Sequence, residues 1–476
     1  MKKILVPFFT ILVFSCFSSS NCLVAQETLK KEQLLEDFQI FESSLRQNHP
    51  QLFLYTSEQK LDSFFINAKK LIKNEMSPIE FYKILTPILP MVGNNHTNIL
   101  PPKSFVEFIS TETKRLPFSF FYKNDTLYVL EDVSKEYLIG EGSIVTAING
   151  LEVSSIIHKF LENITTDGYN KTQPVYRASR GFSRYFGYYF GFPETFEVRY
   201  IDSGGKSRIA VIEAITLKEI SKNRKSRNTT LTNGREDYRF EVVDDIGIIT
   251  VRTFSLSNPK LFKRFLRETF QEIDTKDIST LLIDLRDNMG GYPEASNQLL
   301  EYLINETITP YKLEYAITDN IFNHEYFEDD IYFKHFKRQN LVEREGKYFV
   351  KGAVDTKLMP NKYAYNMELF ILMNASSSST TGQLIGLIKA YTEAIFIGEE
   401  SGGNPVGIVA NDILTLMLPN SKIEVKLPVI YSELNVDFQN SGRGIIPDIP
   451  ITQTIDDLLK GKDTTLEHAL KWISTN

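Results

Sequence analysis

Residues 368–391 read "ELFILMNASSSSTTGQLIGLIKAY". The apolar run "ELFILM" suits a buried strand, and "LIGLIKAY" has the spacing of an amphipathic helix. Four consecutive serines, Ser376 to Ser379, lie between them. A hydroxyl at a strand-to-helix turn stands clear of its sheet. The backbone N–H that follows it belongs to a helix N-terminus, which favours an oxyanion. Ser379, Thr380 and Thr381 lie nearest that helix start. Serine and threonine are also the preferred N-caps, and the G-x-S-x-G pattern of α/β-hydrolases is missing here. The turn by itself therefore fits both a nucleophile and a plain cap.

Working outward, strands and helices alternate from about 238. "IGIITVRTF", "STLLIDL" and "ELFILMN" are apolar strands, and "NPKLFKRFLRETFQEI", "PEASNQLLEYLI" and "TTGQLIGLIKAY" are helical patterns. The alternation predicts an α/β core around a largely buried sheet. Within it, "LLIDLRDNMGGYPEA" (281–295) runs from a strand into Gly290-Gly291. Paired glycines let backbone N–H groups approach a ligand and supply half of an oxyanion hole. The segment also fits a tight turn with Asp284 and Arg286 as a structural ion pair.

Residues from about 28 to 90 carry a helical period. Leu34, Phe38, Phe41 and Leu45 share one face, and Ser77-Pro78 reads as an N-cap followed by proline at the first helical position. From about 117 to 215, short alternating runs are separated by Asn-Asp, Asn-Gly and Gly-Gly, which predicts a β-rich domain. "RKSRNTTLTNGRED" (224–237) reads as a linker. The domain expectation is a signal peptide over 1–25, an N-terminal helical domain over 26–110, a β-rich domain over 115–220 and a core over 238–476.

Lys2, Lys3 and the apolar "ILVPFFTILVF" resemble an export signal with Ala25 as the last residue before cleavage. The chain is thereby expected to be exported, to a periplasmic or extracellular location. Cys16 and Cys22 are the only cysteines in the sequence and both lie in this stretch, so the cleaved chain has no disulfide and no cysteine nucleophile. Lipidation at Cys16 is the minority reading and would tie the chain to an outer membrane. The net charge is −7 with no Lys/Arg-rich block, which argues against nucleic acid as a partner.

A serine nucleophile needs a base. Among six histidines, His96 differs, because "MVGNNHTNILPP" places it in a Gly/Asn turn between apolar segments. Lys389 follows Ser379 by ten residues, about 15 Å of rise and about 1,000° of rotation along a helix, so it cannot reach.

These pieces occur together in one family. "LLIDLRDNMGG", "LFILMNASSSSTTGQLIGLIKAYTEAIFIGEESGGNPVG" and "GRGIIPDIPI", in that order, resemble the tail-specific (C-terminal-processing) serine peptidases. "VGNNHT" resembles the Asp-Gly-His-Thr segment of the tricorn-like, histidine-type branch, and "GEGSIVTAINGLEV" is similar to the second half of a PDZ-like domain. The resemblance implies a multidomain α+β chain, with a PDZ-like domain over 115–220 and a βα-spiral peptidase core.

It also implies Ser379 as nucleophile, His96 as general base, and the backbone N–H groups of Thr380 and of the Gly290-Gly291 turn as oxyanion donors. Asn404 stands where the tail-specific branch proper has its lysine. Asn95 replaces a serine before the histidine, and Ser441 replaces an orienting glutamate. The implied activity is exported serine endopeptidase, with protein or peptide substrates added as a strand to the PDZ-like domain and no metal or organic cofactor. The competing expectation is a non-catalytic peptide- or lipophile-binding protein on the same fold.

Overall fold

The computed structural model describes residues 28–226, 236–365 and 368–475. The expected signal with both cysteines, and most of the expected linker, lie outside the described residues. Among the described residues, no helix is long and apolar enough to cross a membrane.

Ile246–Val251, Thr280–Asp284, Glu368–Met373, Ile395–Gly398 and Ile449–Pro450 form a parallel sheet in that order, with Tyr238–Val243 antiparallel at one edge. The helices Pro259–Thr275, Pro293–Leu300 and Thr380–Tyr391 lie between these strands in sequence. Phe262, Leu266, Leu299, Ile385 and Ile388 pack with Ile249, Ile283 and Ile371 into one fully buried core. The other face packs on the C-terminal helix Thr464–Thr475 through Leu282, Phe370, Leu372 and Ala469. With helices on both faces the strands are apolar throughout, as read from the sequence.

The alternation from 238 onward is interrupted. Between Asp284 and Glu368, and again between Gly398 and Ile449, the chain leaves to build a second, antiparallel sheet. Its spine is two eleven-residue strands, Gly407–Met417 and Glu424–Leu434, flanked by Tyr311–Ala316 and by the short Asn98–Leu100. The N-terminal helices Lys31–Asn48, Glu58–Lys70 and Pro78–Leu85 pack on this sheet. Leu34, Phe38, Phe41, Phe81 and Leu85 share a single core with Leu414, Leu416, Val425 and Leu427. The helical stretch therefore has no separate interior: its apolar faces are covered by strands more than three hundred residues away. The expected cap at Ser77 is present as a capping box, with Ser77 Oγ accepting from the Glu80 N–H and Glu80 Oε2 accepting from the Ser77 N–H.

Residues 118–213 form a third unit with its own core, an antiparallel sheet of Phe118–Lys123, Thr126–Asp132, Ile144–Ile148, Thr195–Ile201 and Ser207–Glu213. Asn149 and Gly150 both have positive φ, 51° and 77°, and make the tight hairpin that Asn-Gly predicts. Three helices, Val153–Leu161, Thr172–Arg180 and Phe182–Phe190, were not legible as such and cover one face of this sheet.

Candidate active site

The site lies beyond the carboxyl ends of the parallel strands, where open α/β sheets present their loops. Ser379 occupies the N-cap position of helix Thr380–Tyr391, yet its side chain makes no capping bond. Its backbone has φ 57° and ψ −129°, a conformation that costs a side-chain-bearing residue about 1–3 kcal/mol. Ser379 Oγ lies 3.0 Å from His96 Nε2. These residues are 283 positions apart. Lys389 is at the other end of the helix with its ammonium over the Phe396 ring.

The remaining serines hold the turn. Ser377 Oγ donates to the Leu285 carbonyl at 2.8 Å and accepts from the Asn374 N–H. The Ser378 N–H donates to the Asn288 carbonyl. The serine turn is thereby laced to the end of the neighbouring strand.

The Gly290-Gly291 turn lies directly against the serine. A Cβ at Gly290, whose φ is 97°, would come within 2.9 Å of Ser379 Cβ and of the Thr380 nitrogen. The Gly290 N–H donates to Asn288 Oδ1 at 2.9 Å, so it is engaged within the turn. Gly291 pairs with Phe254 in a parallel bridge. The Gly290 carbonyl and Tyr292 N–H bond to Phe254, so the Gly291 N–H and carbonyl face the opposite way, towards the serine turn. That carbonyl accepts from Thr380 Oγ1 at 2.7 Å. The N–H groups of Gly291 and Thr380 donate to no other described residue. Both are therefore free to meet an anion beside Ser379, where the helix N-terminus would favour it. Asn288 is fully buried and also donates to the Val251 carbonyl. Its place two residues before Gly290 is the sequence signal for such an Asx turn.

Asp284 and Arg286 form a structural ion pair. Arg286 contacts both carboxylate oxygens of Asp284 at 3.0 and 2.8 Å, Arg252 adds a bond at 2.7 Å, and Asp463 holds the far side of Arg286. Burial alone would raise the Asp284 carboxyl, but the two guanidinium groups hold it well below the usual carboxylate range.

His96 sits in a turn held by a second histidine. The Gln51 N–H donates to His49 Nδ1, which leaves the proton on Nε2. That nitrogen donates to Thr97 Oγ1 at 3.0 Å, and the Thr97 hydroxyl and N–H both donate to Asn94 Oδ1 at 2.7 Å. Asn94 in turn donates to the Val409 carbonyl. Burial pushes His49 down to about 3, so it is neutral at ordinary pH. Its sequence position before Pro50 gave no sign of this role. Burial also lowers His96, with Asp167 opposing that shift and Arg177 adding to it. The net effect favours the neutral imidazole.

Neither expected orienting residue touches the imidazole. Asn95 Oδ1 accepts from Arg177 Nη1 at 2.7 Å, and Ser441 Oγ accepts from the Arg443 N–H. A loop that the sequence left unread reaches the site instead. The Asn95 N–H donates to Asp167 Oδ1 at 2.9 Å, the Gly168 N–H to the Gly93 carbonyl, the Tyr169 N–H to the Gly442 carbonyl, and Asn170 Nδ2 to the Ser401 carbonyl. A Cβ at Gly168, φ 56°, would lie 2.4 Å from the Gly442 carbonyl oxygen, so only glycine fits this approach.

Residues 245–451 match the model of peptidase family S41. Structures of mature CPAF and of mature CPAF complexed with lactacystin are similar to this chain. Each is 13% identical with a TM-score of 0.63, covers 93% of this chain, and is itself covered over 97% and 98% of its length. At that identity the likeness is one of fold. A putative peptidase from Parabacteroides merdae is 16% identical, with a TM-score of 0.46 and 93% and 96% of the two chains covered. No curated protein matches the chain. The matched segment contains Ser379, Thr380 and the glycine turn, whereas His96 lies outside it. With the serine turn and its glycine neighbour set in that segment, the chain is a serine-type peptidase whose residues 245–451 match peptidase family S41.

Proposed function

We propose that the chain is an exported endopeptidase of the tricorn-like, histidine-dependent kind. One observation carries this reading: Ser379 Oγ and His96 Nε2 lie 3.0 Å apart although they come from opposite ends of the chain. His96 takes the serine proton as Ser379 attacks the scissile carbonyl. The Gly291 and Thr380 N–H groups receive the oxyanion, and His96 then returns the proton to the leaving amine. The strained Ser379 backbone holds the hydroxyl in its attacking position before substrate arrives.

The substrate is a protein or peptide. Met289 and Tyr292, both exposed on either side of the glycine pair, offer apolar surface to residues flanking the scissile bond. The PDZ-like unit presents an outer strand, Ser207–Glu213, with a single strand neighbour among the described residues, which suits addition of an extended segment. Export to the periplasm or beyond rests on the charged start, apolar core and Ala25 of the sequence. N-terminal sequencing of the protein recovered from its host checks that part: a start at Gln26 supports export, and a lipid-modified Cys16 replaces it with membrane anchoring.

The catalytic reading is tested by labelling with a fluorophosphonate, which requires an activated serine, and by mass spectrometry of new termini in unfolded protein substrates. Labelling at Ser379 with new internal termini supports it. A wild-type chain that neither labels nor cleaves makes the binding-protein reading the better one.

A further inference from the structure

His96 Nε2 accepts from Ser379, so the ring proton is on Nδ1. That Nδ1 is buried and has no hydrogen-bond partner among the described residues. Two carboxylate oxygens are in the same condition among the described residues, Glu131 Oε1 and Asp167 Oδ2, and Asp167 is the one beside the histidine turn. His96 Nδ1 and Asp167 Oδ2 are opposite in kind, a donor and an acceptor, and each is costly to leave unmet. They belong to segments bound to each other. Asp167 Oδ1 accepts from the N–H of Asn95, the residue next to His96, and the Gly168 N–H donates to the Gly93 carbonyl at 2.8 Å.

We propose that Asp167 is the positioning carboxylate of this enzyme. It orients the His96 ring through Nδ1–H and stabilises the imidazolium that forms when the serine proton is taken. It takes the place left by Ser441, and it arrives from the loop between helices Val153–Leu161 and Thr172–Arg180 of the PDZ-like unit, far from the segment after the nucleophile. Hydrogen bonds of catalytic groups are often long in the free enzyme and tighten in the complex. Closing Oδ2 onto Nδ1 accompanies substrate binding.

The charged groups that face His96 are Asp167 and Arg177. Arg177 is turned to Asn95 Oδ1 and the Thr165 carbonyl, which leaves Asp167 as the anion on the imidazole side. His49, neutral at ordinary pH, and Tyr55 line the small cavity behind Asp167. Burial pushes the Asp167 carboxyl up, and His96, the Asn95 N–H bonded to Oδ1 and the Asn404 N–H pull it back, the last from nearby without a hydrogen bond to Oδ2.

The inference rests on the Ser379–His96 reading, and its test separates the two. Asp167→Asn in the full chain keeps an acceptor for the Asn95 N–H and removes the charge. The expected results are a kcat lower by about a hundredfold with KM little changed, and an acid limb shifted to lower pH, because His96 loses its anion. The fluorophosphonate labelling rate should follow the same shifted profile, and Asp167→Glu should return the limb towards wild type. Normal labelling by Asp167→Asn with an unmoved limb overturns the proposal, as does slower labelling with an unmoved limb, which is a structural effect only. Absence of labelling in the wild type overturns the Ser379–His96 reading instead. Should Asp167→Asn not fold, proton NMR of the wild type below its acid limb decides. A low-field Nδ1 proton that disappears in His96→Ala is expected, and a wild type without it refutes the proposal.

Discussion

The serine turn, Asn374 to Thr381, and the histidine turn, Gly93 to Thr97, meet across 3.0 Å but are built differently. The serine turn hangs between a strand and a helix of one sheet. Its bonds run to the adjacent strand end at Leu285, Asn288 and Gly291. The histidine turn belongs to no regular element. It is held by His49 and Thr97, by Val409 from the second sheet, and by Asp167 and Gly168 from the unit of residues 118–213. The proposed nucleophile is placed by local chain geometry, and the proposed base by the convergence of three distant segments. The serine side should therefore tolerate loss of a supporting side chain better than the histidine side.

The largest effect expected is at the nucleophile. Ser379→Ala removes one small hydroxyl and relieves nothing in the core, so it should fold normally while kcat falls by about four to six orders of magnitude. Fluorophosphonate labelling should vanish, whereas Ser376→Ala and Ser378→Ala should keep it. Continued labelling of this stretch in Ser379→Ala would reassign the nucleophile.

His96→Ala should cost about two to four orders of magnitude in kcat. If turnover survives and Lys389→Ala abolishes it, the base has been misassigned. Next come the supports, which test the contrast itself. Asn94→Ala removes the acceptor for two Thr97 groups and the tie to Val409, so turnover should fall by about tenfold to a hundredfold through misplacement of His96. Ser377→Ala removes the bond to the Leu285 carbonyl and the acceptor for the Asn374 N–H, with its backbone ties intact. It should cost about 1 kcal/mol of stability and less than about tenfold in labelling rate. Equal losses at the two positions, measured by stopped labelling and thermal melts, would erase the distinction.

The pH dependence offers a finer reading. His96 must be neutral to accept the proton, and burial lowers it. Activity should rise with pH through a value below the free imidazole value of about 6.5 and then stay level. A limb at or above 6.5 would mean that the Asp167 anion outweighs burial at His96. The smallest expected effect is on stability. Unfolded His49 takes up a proton near pH 6.5, but native His49 does so only near pH 3. The stabilisation it gives is full above the higher value and is lost as pH falls towards the lower one. Asp284 adds a loss of the same sign at more acid pH. Thermal melts of His49→Gln should show a flatter slope between about pH 6.5 and 4 than the wild type; an unchanged slope would remove His49 from the support of the histidine turn.

By itself the sequence determined what depends on neighbours along the chain. Five consecutive apolar residues followed by serines and a helical period specify a strand, a turn and a helix, and Asn-Gly specifies a hairpin. Asp284 and Arg286, two residues apart, pair locally. Ser379, Gly290 and Gly291 were therefore legible as a candidate half-site. Only the tertiary structure decided what faces them. A buried polar group is satisfied by whatever the fold brings near, and that partner leaves no periodic mark in sequence. His49, Asn288 and Asp167 escaped notice for that reason, and Asn95 and Ser441 were expected to face a ring they do not touch. The N-terminal helices showed their apolar faces plainly, but that those faces would be covered by Gly407–Met417 and Glu424–Leu434 was decided by burial over long range, which is non-directional and carries no address.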